Sequence, residues 1–193
     1  KSDFQNQEVI YNLFVETLIT DNRIKKVLSV NNDKSKDGLA TIYELTSFLY
    51  FLPETERLFL SSPSTRRNFI DQLIFTYKHD YNKLINEYIK FLQERSKILY
   101  SDSYDESWLD QLEKNISKHA LEIYFLREKQ INLLVENLND YLSYFNLKFI
   151  INLKLNDKFY KDNLSHEIYE KKFKINRKID ALVGGCSIGP HKS

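Results

Sequence analysis

The chain has 193 residues, 28 of them basic and 27 acidic, and its formal net charge is +1. That balance excludes a global electrostatic attraction to nucleic acids or membranes, although it is compatible with a local basic patch. The sequence is 42% hydrophobic, contains one cysteine and has no apolar run of membrane-spanning length, so we expect a folded cytoplasmic protein without a membrane partner.

The first part of the chain has the alternation of a β-sheet. Residues 7–19 and 23–31 alternate apolar and polar side chains, which is the period of a half-buried strand, and residues 21–22 between them predict a hairpin turn. A second turn is predicted over 32–38, where a polar run ends in glycine. Residues 49–53 predict a short buried strand that ends at a proline.

From Ser62 onward the apolar spacing becomes helical. Ser62 precedes a proline and predicts the start of a first helix, because serine caps the first turn and proline suits the first helical position. Two longer helices are predicted over 80–100 and 104–145. The short loop between them makes them antiparallel neighbours. Ser103 with Glu106 predicts a capping box at the start of the longer helix.

The rest of the chain returns to extended structure and then to a helix. Residues 148–155 alternate again and predict a strand, and a last helix is predicted over roughly 162–181, ending at two glycines. The fold class is therefore α+β. We expect a sheet-rich part over 1–60, an inserted antiparallel helical-hairpin arm over 61–145, and a return to the sheet-bearing body over 146–193.

The last ten residues, GGCSIGPHKS, have some features of a phosphate-binding loop. Two glycines separated by four residues are followed by a Lys-Ser pair, close to the pattern G-x-x-x-x-G-K-[ST]. In that pattern the lysine follows the second glycine directly, whereas Pro190 and His191 intervene here. Proline also lacks the N–H that an anion would need. We therefore expect no nucleotide site in this stretch.

Three motifs are more specific. The first is FLPETERLFLSSPSTRRNFIDQLIF, residues 51–75, in which a Pro-acidic pair precedes a small-residue turn and Arg-Arg-x-Phe-Ile-Asp. The motif residues are Pro53, Glu54, Ser61, Ser62, Pro63, Arg66, Arg67, Phe69, Ile70 and Asp71. QERSKIL follows at 93–99, and Gly189-Pro190-His191-Lys192 stands near the end. In these motifs and their order the chain resembles the RecF family of bacterial recombination-mediator ATPases.

The resemblance implies part of an ABC-type ATPase head from which a helical arm projects. Members of the family use ATP and Mg²⁺, form an ATP-dependent homodimer, bind DNA at junctions of single and double strands, and act with RecR and RecO in loading recombinase at gaps. The family's P-loop would precede this chain, and its signature and Walker B motifs would follow it. The chain would then be an internal part of a longer protein and would not bind or hydrolyse ATP by itself.

Two other interpretations stay open. Another SMC-like ABC head with a short coiled-coil arm would share the helical hairpin, although the short loop at 101–106 disfavours a long coil. A non-enzymatic helical-hairpin scaffold would fit the absence of nucleotide motifs from the sequence. That scaffold would leave the family-like motifs unexplained.

The candidate DNA-binding residues are basic. Arg66 and Arg67 lie in the first turns of a predicted helix, where the helix dipole disfavours cations. Three interactions could offset this unfavourable position: an ion pair between Arg67 and Asp71, packing at the base of the arm, or contact with a DNA phosphate. A second basic face, either solvated or phosphate-binding, is formed by Lys171, Lys174 and Lys178. We expect contacts to phosphates and not to bases, because no basic patch interleaved with aromatic residues is visible.

The remaining polar residues carry narrower expectations. Glu54 is a candidate for nucleotide sensing only through the resemblance. His191 is expected to form structural hydrogen bonds, because no serine or acid pattern surrounds it. The other histidines, His79, His119 and His166, are scattered and predict no metal site.

Overall fold

A computed structural model of the chain describes residues 2–6, 9–20, 23–35, 53–101, 105–157, 159–160 and 165–192. By the contacts between Cα atoms, the chain divides into two compact units, Lys1–Leu49 and Tyr50–Ser193. The first unit contains the strands and the second contains the helices.

The first unit contains a three-stranded antiparallel sheet in the order β1-β2-β3. Its strands are β1, Ser2–Asn6; β2, Val9–Thr20; and β3, Arg23–Val30. The strands predicted at 7–19 and 23–31 are confirmed, and Thr20 pairs with Arg23. Residues 21–22, for which a hairpin turn is predicted, lie outside the described part of the chain. β1 is not visible in the sequence, because its segment SDFQN has a single apolar side chain.

After β3 the chain turns over residues 31–35. Asn31 and Asn32 have positive φ angles of 49° and 68°, which asparagine adopts more readily than most residues. Val30 and Asp33 exchange backbone hydrogen bonds of 2.9 and 2.8 Å. These bonds confirm the first part of the predicted turn. Residues 36–38 of that turn, and residues 49–52 of the predicted short strand, lie outside the described residues.

The second unit is helical. A 3₁₀ segment, Pro53–Leu60, precedes four α-helices: α1, Pro63–Phe75; α2, Tyr81–Tyr100; α3, Glu106–Tyr144; and α4, His166–Val183. Ser62 caps α1 as predicted, since its Oγ accepts a hydrogen bond of 3.3 Å from the Thr65 amide. α4 ends at Gly184 as predicted, and the φ of 70° at this glycine is the left-handed conformation common after a helix.

The start of α3 differs from the prediction. Asp105 is its N-cap, because Oδ1 of Asp105 accepts hydrogen bonds from the amides of Ser107 at 2.8 Å and Trp108 at 3.4 Å. The predicted capping box of Ser103 with Glu106 is therefore wrong, and Ser103 itself lies outside the described residues. Aspartate caps a helix as well as serine does and also adds a negative charge at the positive end of the helix dipole.

Residues 148–155 do not form the predicted strand. Burial alternates from Ile151 to Leu155, but these residues pair with no described strand. The side chain of Asn139 on α3 binds the backbone of Ile151 instead. Its Oδ1 accepts from Ile151 N at 2.8 Å, and its Nδ2 donates to Ile151 O at 3.0 Å. The alternation thus marks a segment that is not a strand, in which a side-chain amide satisfies the backbone N–H and C=O of one residue.

α2 and α3 form an antiparallel pair. Glu87 lies beside His119, and Arg95, further along α2, lies beside Glu113, which comes earlier in α3. α4 packs against both helices, and α1 packs against α3. The shared core consists of buried side chains: Ile74, Tyr81, Tyr88, Leu112, Ile116, Ala120, Ile123, Tyr124, Leu126, Tyr169, Phe173, Cys186 and Ile188. A projecting arm, and the division of the chain at 60 and 145, stay predictions.

The seam between the helices gives a stability prediction with a matched control. Leu126 is 8% exposed, whereas its neighbour Phe125 is 63% exposed. Leu126→Asp should lower the free energy of unfolding by several kcal/mol, about 3 or more, because it places a charge in the core. Phe125→Asp should cost far less. Chemical denaturation of both variants measures this difference, and equal losses would mean that the seam is misassigned.

Candidate functional site

After α4 the chain folds back onto the helices as a loop, residues 184–192, which we call the GPHK loop. Its first amides are bound within the chain: Gly184 N and Gly185 N both donate to the carbonyl of Asp180. Ser187 N donates to Asp180 Oδ1 at 2.9 Å. A phosphate-binding loop would turn such amides toward an anion. Here the carbonyl and carboxylate of one aspartate occupy them.

The GPHK loop packs directly on Tyr88 of α2. Gly189 has a φ of +128°, and a Cβ there would collide with the Tyr88 hydroxyl. That hydroxyl lies 2.8 Å from Nδ1 of His191, and Nε2 of the same ring lies 3.1 Å from the Cys186 carbonyl. Because a carbonyl only accepts, we assign the ring proton to Nε2, so that Nδ1 accepts from Tyr88. The loop therefore needs glycine at 189 and a neutral imidazole at 191.

Burial keeps the members of this contact neutral. It lowers the pKa of His191 below 6.5, and the hydrogen bond to Cys186 only partly opposes the shift. Burial likewise raises the pKa of the Tyr88 hydroxyl well above its usual range. The Cys186 thiol has a pKa raised to about 11, again chiefly by burial. His191 thus forms structural hydrogen bonds, the kind of role expected for it from the sequence.

A buried arginine connects two of the three family-like motifs, the one at 51–75 and the one at 189–192. Arg127 of α3 binds Asp71 of α1 through two hydrogen bonds of 2.8 Å, and its third contact is the Pro190 carbonyl of the GPHK loop. Tyr81 of α2 also donates to Asp71, at 2.7 Å. Burial alone would lower the pKa of Arg127, but the hydrogen bonds and charge of Asp71 raise it. The guanidinium is therefore a permanent cation that holds α1 against the loop.

The adjacent arginines of α1 lie on the rim of this arrangement. Arg66 donates to the Ser61 carbonyl, and Arg67 is partly buried. Burial lowers the pKa of Arg67, and the nearby charges of Arg127 and Arg66 lower it further. The sequence suggested Arg67 as the partner of Asp71, but the bidentate partner in the structure is Arg127. Two nitrogen atoms of the Arg127 guanidinium each bind one oxygen of the Asp71 carboxylate, which is the geometry of a bidentate pair.

These cations converge on one cavity of about 390 Å³, which we call the basic cavity. It lies between α1, α3, residues 152–156 and the end of the GPHK loop. Its basic lining residues are Arg66, Arg67, Arg127, Lys154 and Lys192. Its apolar lining residues are Leu58, Phe59, Pro63, Phe69, Ile70, Ile131, Leu134, Leu153 and Leu155. Among the described residues that line it, none is Asp or Glu.

The second predicted basic face does not join this cavity. Lys171, Lys174 and Lys178 are exposed on α4, and none of them lines the basic cavity. Lys174 forms an ion pair of 2.7 Å with Asp110 of α3. The backbone of Glu54 lies in the 3₁₀ segment, which Pro53 begins, and its side chain is outside the described part. The structure thus unites Arg66, Arg67, Phe69, Asp71 and the GPHK loop, and leaves the α4 lysines apart.

The sequence did not reveal the buried ionic roles of Arg127 and Arg95, although Arg95 lies within the QERSKIL motif. Each is a single cation within a buried helical stripe: Arg127 lies between Ile123 and Ile131, and Arg95 lies four residues before Leu99. A charged residue inside an apolar stripe must find a partner, because an unpaired buried charge is very costly. That irregularity is the signal that could have identified both.

Two further features of the described residues bear on binding. No group of three His, Cys, Asp or Glu side chains in the described ranges could hold a metal ion. Of the helices in those same ranges, none is long and apolar enough to cross a membrane.

The amino-acid sequence of the chain is similar to those of known proteins. No family model matches the chain. It is 25% identical over 178 residues to the DNA replication and repair protein RecF of Rickettsia bellii, a match that covers 89% of this chain and 48% of that protein. The RecF protein of Rickettsia typhi is 29% identical over 180 residues, with 91% and 46% covered.

Solved structures share the fold. The structure of the recombination mediator protein RecF-ATP in the RecFOR pathway matches with a TM-score of 0.70 at 21% identity, covering 92% of this chain and 49% of that one. The RecF-ATPrS structure matches with a TM-score of 0.69 at 19% identity, covering 94% and 53%. The fold is therefore part of the RecF fold. The chain is similar in sequence to RecF proteins over about nine-tenths of its length, and it spans about half the length of the curated relatives it matches.

The close approach at Gly189 predicts a strong effect of one methyl group. Gly189→Ala adds a Cβ that collides with Tyr88 at a positive φ, so the free energy of unfolding should fall by at least about 2 kcal/mol. Gly185→Ala is the control, because its Cβ would meet no atom within 4 Å. Thermal melting of both variants tests this, and equal melting temperatures would contradict the packing of the loop on Tyr88.

Burial of neutral His191 predicts a pH dependence. The unfolded histidine takes up a proton as the pH falls through 6.5, whereas the pKa of the folded residue lies lower. The unfolded state then binds more protons, so the free energy of unfolding has its full value above about pH 6.5. It decreases as the pH falls from 6.5 toward the lower pKa of the folded residue, by up to about 1.4 kcal/mol per pH unit. Denaturation at several pH values should show this slope in the wild type and a smaller one in His191→Gln. The exposed His166→Gln is the control, and a slope unchanged in His191→Gln would refute the assignment.

Proposed function

We propose that this chain forms about half of a RecF-like recombination mediator that binds ATP and DNA. In this proposal the whole protein dimerises on ATP, recognises junctions of single- and double-stranded DNA, and acts with RecR- and RecO-type partners to load recombinase at gaps. The helical hairpin of α2 and α3 belongs to an arm that projects from an ABC-type head. The homology to RecF proteins over about nine-tenths of the chain supports this proposal over another SMC-like head or a helical scaffold.

The described residues of this chain offer no site suited to ATP and Mg²⁺. The sequence contains no P-loop pattern, and the loop closest to one uses its amides within the chain. Among the described residues there is no cluster of metal ligands. The nucleotide and its metal ion are therefore assigned to the part of the RecF-like protein that this chain does not contain.

The basic cavity is the observation that carries the DNA-binding part of the proposal. The chain as a whole is almost neutral, yet five cationic side chains line one cavity. Arg and Lys side chains that neutralise phosphates release counterions from the nucleic acid, which makes binding strong at low salt and largely independent of sequence. Arg66 and Arg67 are the residues proposed for this contact on α1. The α4 face of Lys171, Lys174 and Lys178 is a second, separate candidate.

A double substitution in the whole protein tests the arginines. Arg66→Ala with Arg67→Ala should weaken binding to junction DNA about equally across sequences. It should also flatten the dependence of log K on log salt by about one unit for each phosphate that is no longer neutralised. The matched control is Lys114→Ala with Lys118→Ala, which removes the same charge from exposed positions of α3. DNA titrations at two salt concentrations measure both effects.

A melting curve separates a binding role from a structural one. If the double arginine variant binds DNA as the wild type does but melts earlier, the two side chains serve packing, and the phosphate contact is wrong. The corresponding variant of Lys171 and Lys178 then shows whether the α4 face makes the contact instead.

A further inference from the structure

The basic cavity is large enough to hold one small ligand. Its volume is about 390 Å³, toward the lower end of the range of about 300 to 1,000 Å³ that is typical of ligand sites. Five separate parts of the chain form its walls: the end of the 3₁₀ segment, α1, α3, residues 152–156 and Lys192 of the GPHK loop. Base-paired nucleotides inside a duplex are held in the stack and do not enter such a cavity.

The charge of the cavity selects an anion. Five cations line it, and Asp71, the carboxylate that binds Arg127, is not part of the lining. The pKa of Arg67 is lowered chiefly by burial, and the charges of Arg127 and Arg66 lower it further while Asp71 opposes them. Since no carboxylate among the described residues lines the cavity beside Arg66, Lys154 and Lys192, their charges attract an anion there.

The apolar wall of the cavity favours an anion that also has an apolar or aromatic part. Phe59 and Phe69 both line the cavity, and Phe59 is 64% exposed. A free phosphate ion would not cover this apolar wall, which would stay exposed to water. A nucleotide offers both parts, a phosphate for the cations and a base whose flat face stacks on an aromatic ring.

We propose that the basic cavity holds one nucleotide of single-stranded nucleic acid. Its phosphate lies on Arg66, Lys154 and Lys192, and its base lies against Phe59. This inference rests on the proposed DNA-binding function and adds that the cavity contacts the single-stranded side of a junction. It also departs from the expectation of phosphate contacts alone, because an aromatic side chain, Phe59, lines the same cavity as Lys192 in the folded chain.

Two pairs of variants of the whole protein test the site. Phe59→Ala removes the stacking surface, and Phe125→Ala removes an equally exposed aromatic ring from α3, outside the cavity. Lys154→Gln with Lys192→Gln removes two lining charges, and Lys114→Gln with Lys118→Gln removes two charges from exposed positions that do not line the cavity. The ligands are a short single-stranded oligothymidylate, a blunt hairpin duplex and a junction, and fluorescence anisotropy measures the affinity for each.

The expected result is specific to the single strand. Phe59→Ala should bind the oligothymidylate about tenfold more weakly, and the duplex with little change, whereas Phe125→Ala should match the wild type on both. The lysine pair should lower the salt slope for the single strand by up to about 0.7, because both lysines contact the same phosphate. A melting curve of each variant identifies any loss that comes from unfolding. An unstable variant is then replaced by Phe59→Leu, which keeps the volume and removes the ring.

Three outcomes would overturn the inference. If the cavity variants bind the oligothymidylate as their controls do while junction binding persists, the single-nucleotide site is wrong and the proposed function stands. If the wild type binds no nucleic acid, both fall. If a glutamate-rich peptide containing phenylalanine binds more tightly than the oligothymidylate and loses affinity in the cavity variants, the site takes a protein partner.

Discussion

The buried guanidinium of Arg95 is the contact on which the arrangement of α2, α3 and α4 depends. It is fully buried and donates to Glu113 of α3 at 2.9 Å, to Asp180 of α4 at 2.7 Å and to the Phe173 carbonyl at 3.1 Å. Removing charges from water costs several kcal/mol per ion, so such a cluster is stable only when each charge finds its partner. Arg177 supplies the second cation that Glu113 needs. The three helices must therefore meet in one register.

That register also positions the GPHK loop. One oxygen of Asp180 binds Arg95, and the other accepts from the Ser187 amide, so the loop begins from the same carboxylate that joins the helices. Further along, the Pro190 carbonyl binds Arg127, which in turn holds Asp71 of α1. Two buried arginines thus fix the loop near both of its ends. As a result Lys192 reaches the cavity that Arg66 lines from α1.

The sequence predicts the parts of this structure that depend on local periodicity and capping. The long helices, the Ser62 cap, the glycine end of α4 and the two longer strands follow from patterns that neighbouring residues set among themselves. The run at 148–155 has the period of a strand, but the backbone of Ile151 within it binds the Asn139 side chain of α3, which no local pattern indicates. At the start of α3 the sequence predicted a cap at Ser103, whereas Asp105, two residues later, caps the helix.

The candidate site was predictable only in part, for a related reason. The arginine pair of α1 and the GPHK motif could be recognised separately, but their meeting depends on Arg127, a residue of neither motif. The lining of the basic cavity comes from segments far apart in the chain, so no stretch of sequence shows basic and aromatic residues side by side. This is why the sequence alone favoured phosphate contacts.

The fold adds an aromatic wall to those cations, and the addition changes what the cavity can distinguish. Charge alone attracts single and double strands alike, because both carry phosphates. A wall that stacks a base favours the strand whose bases are free, and it does so without reading sequence, since every base has a flat face. In a RecF-like protein proposed to act where the two forms of DNA meet, cations on α1 and the GPHK loop would supply affinity. Phe59 would supply the preference for the unpaired side.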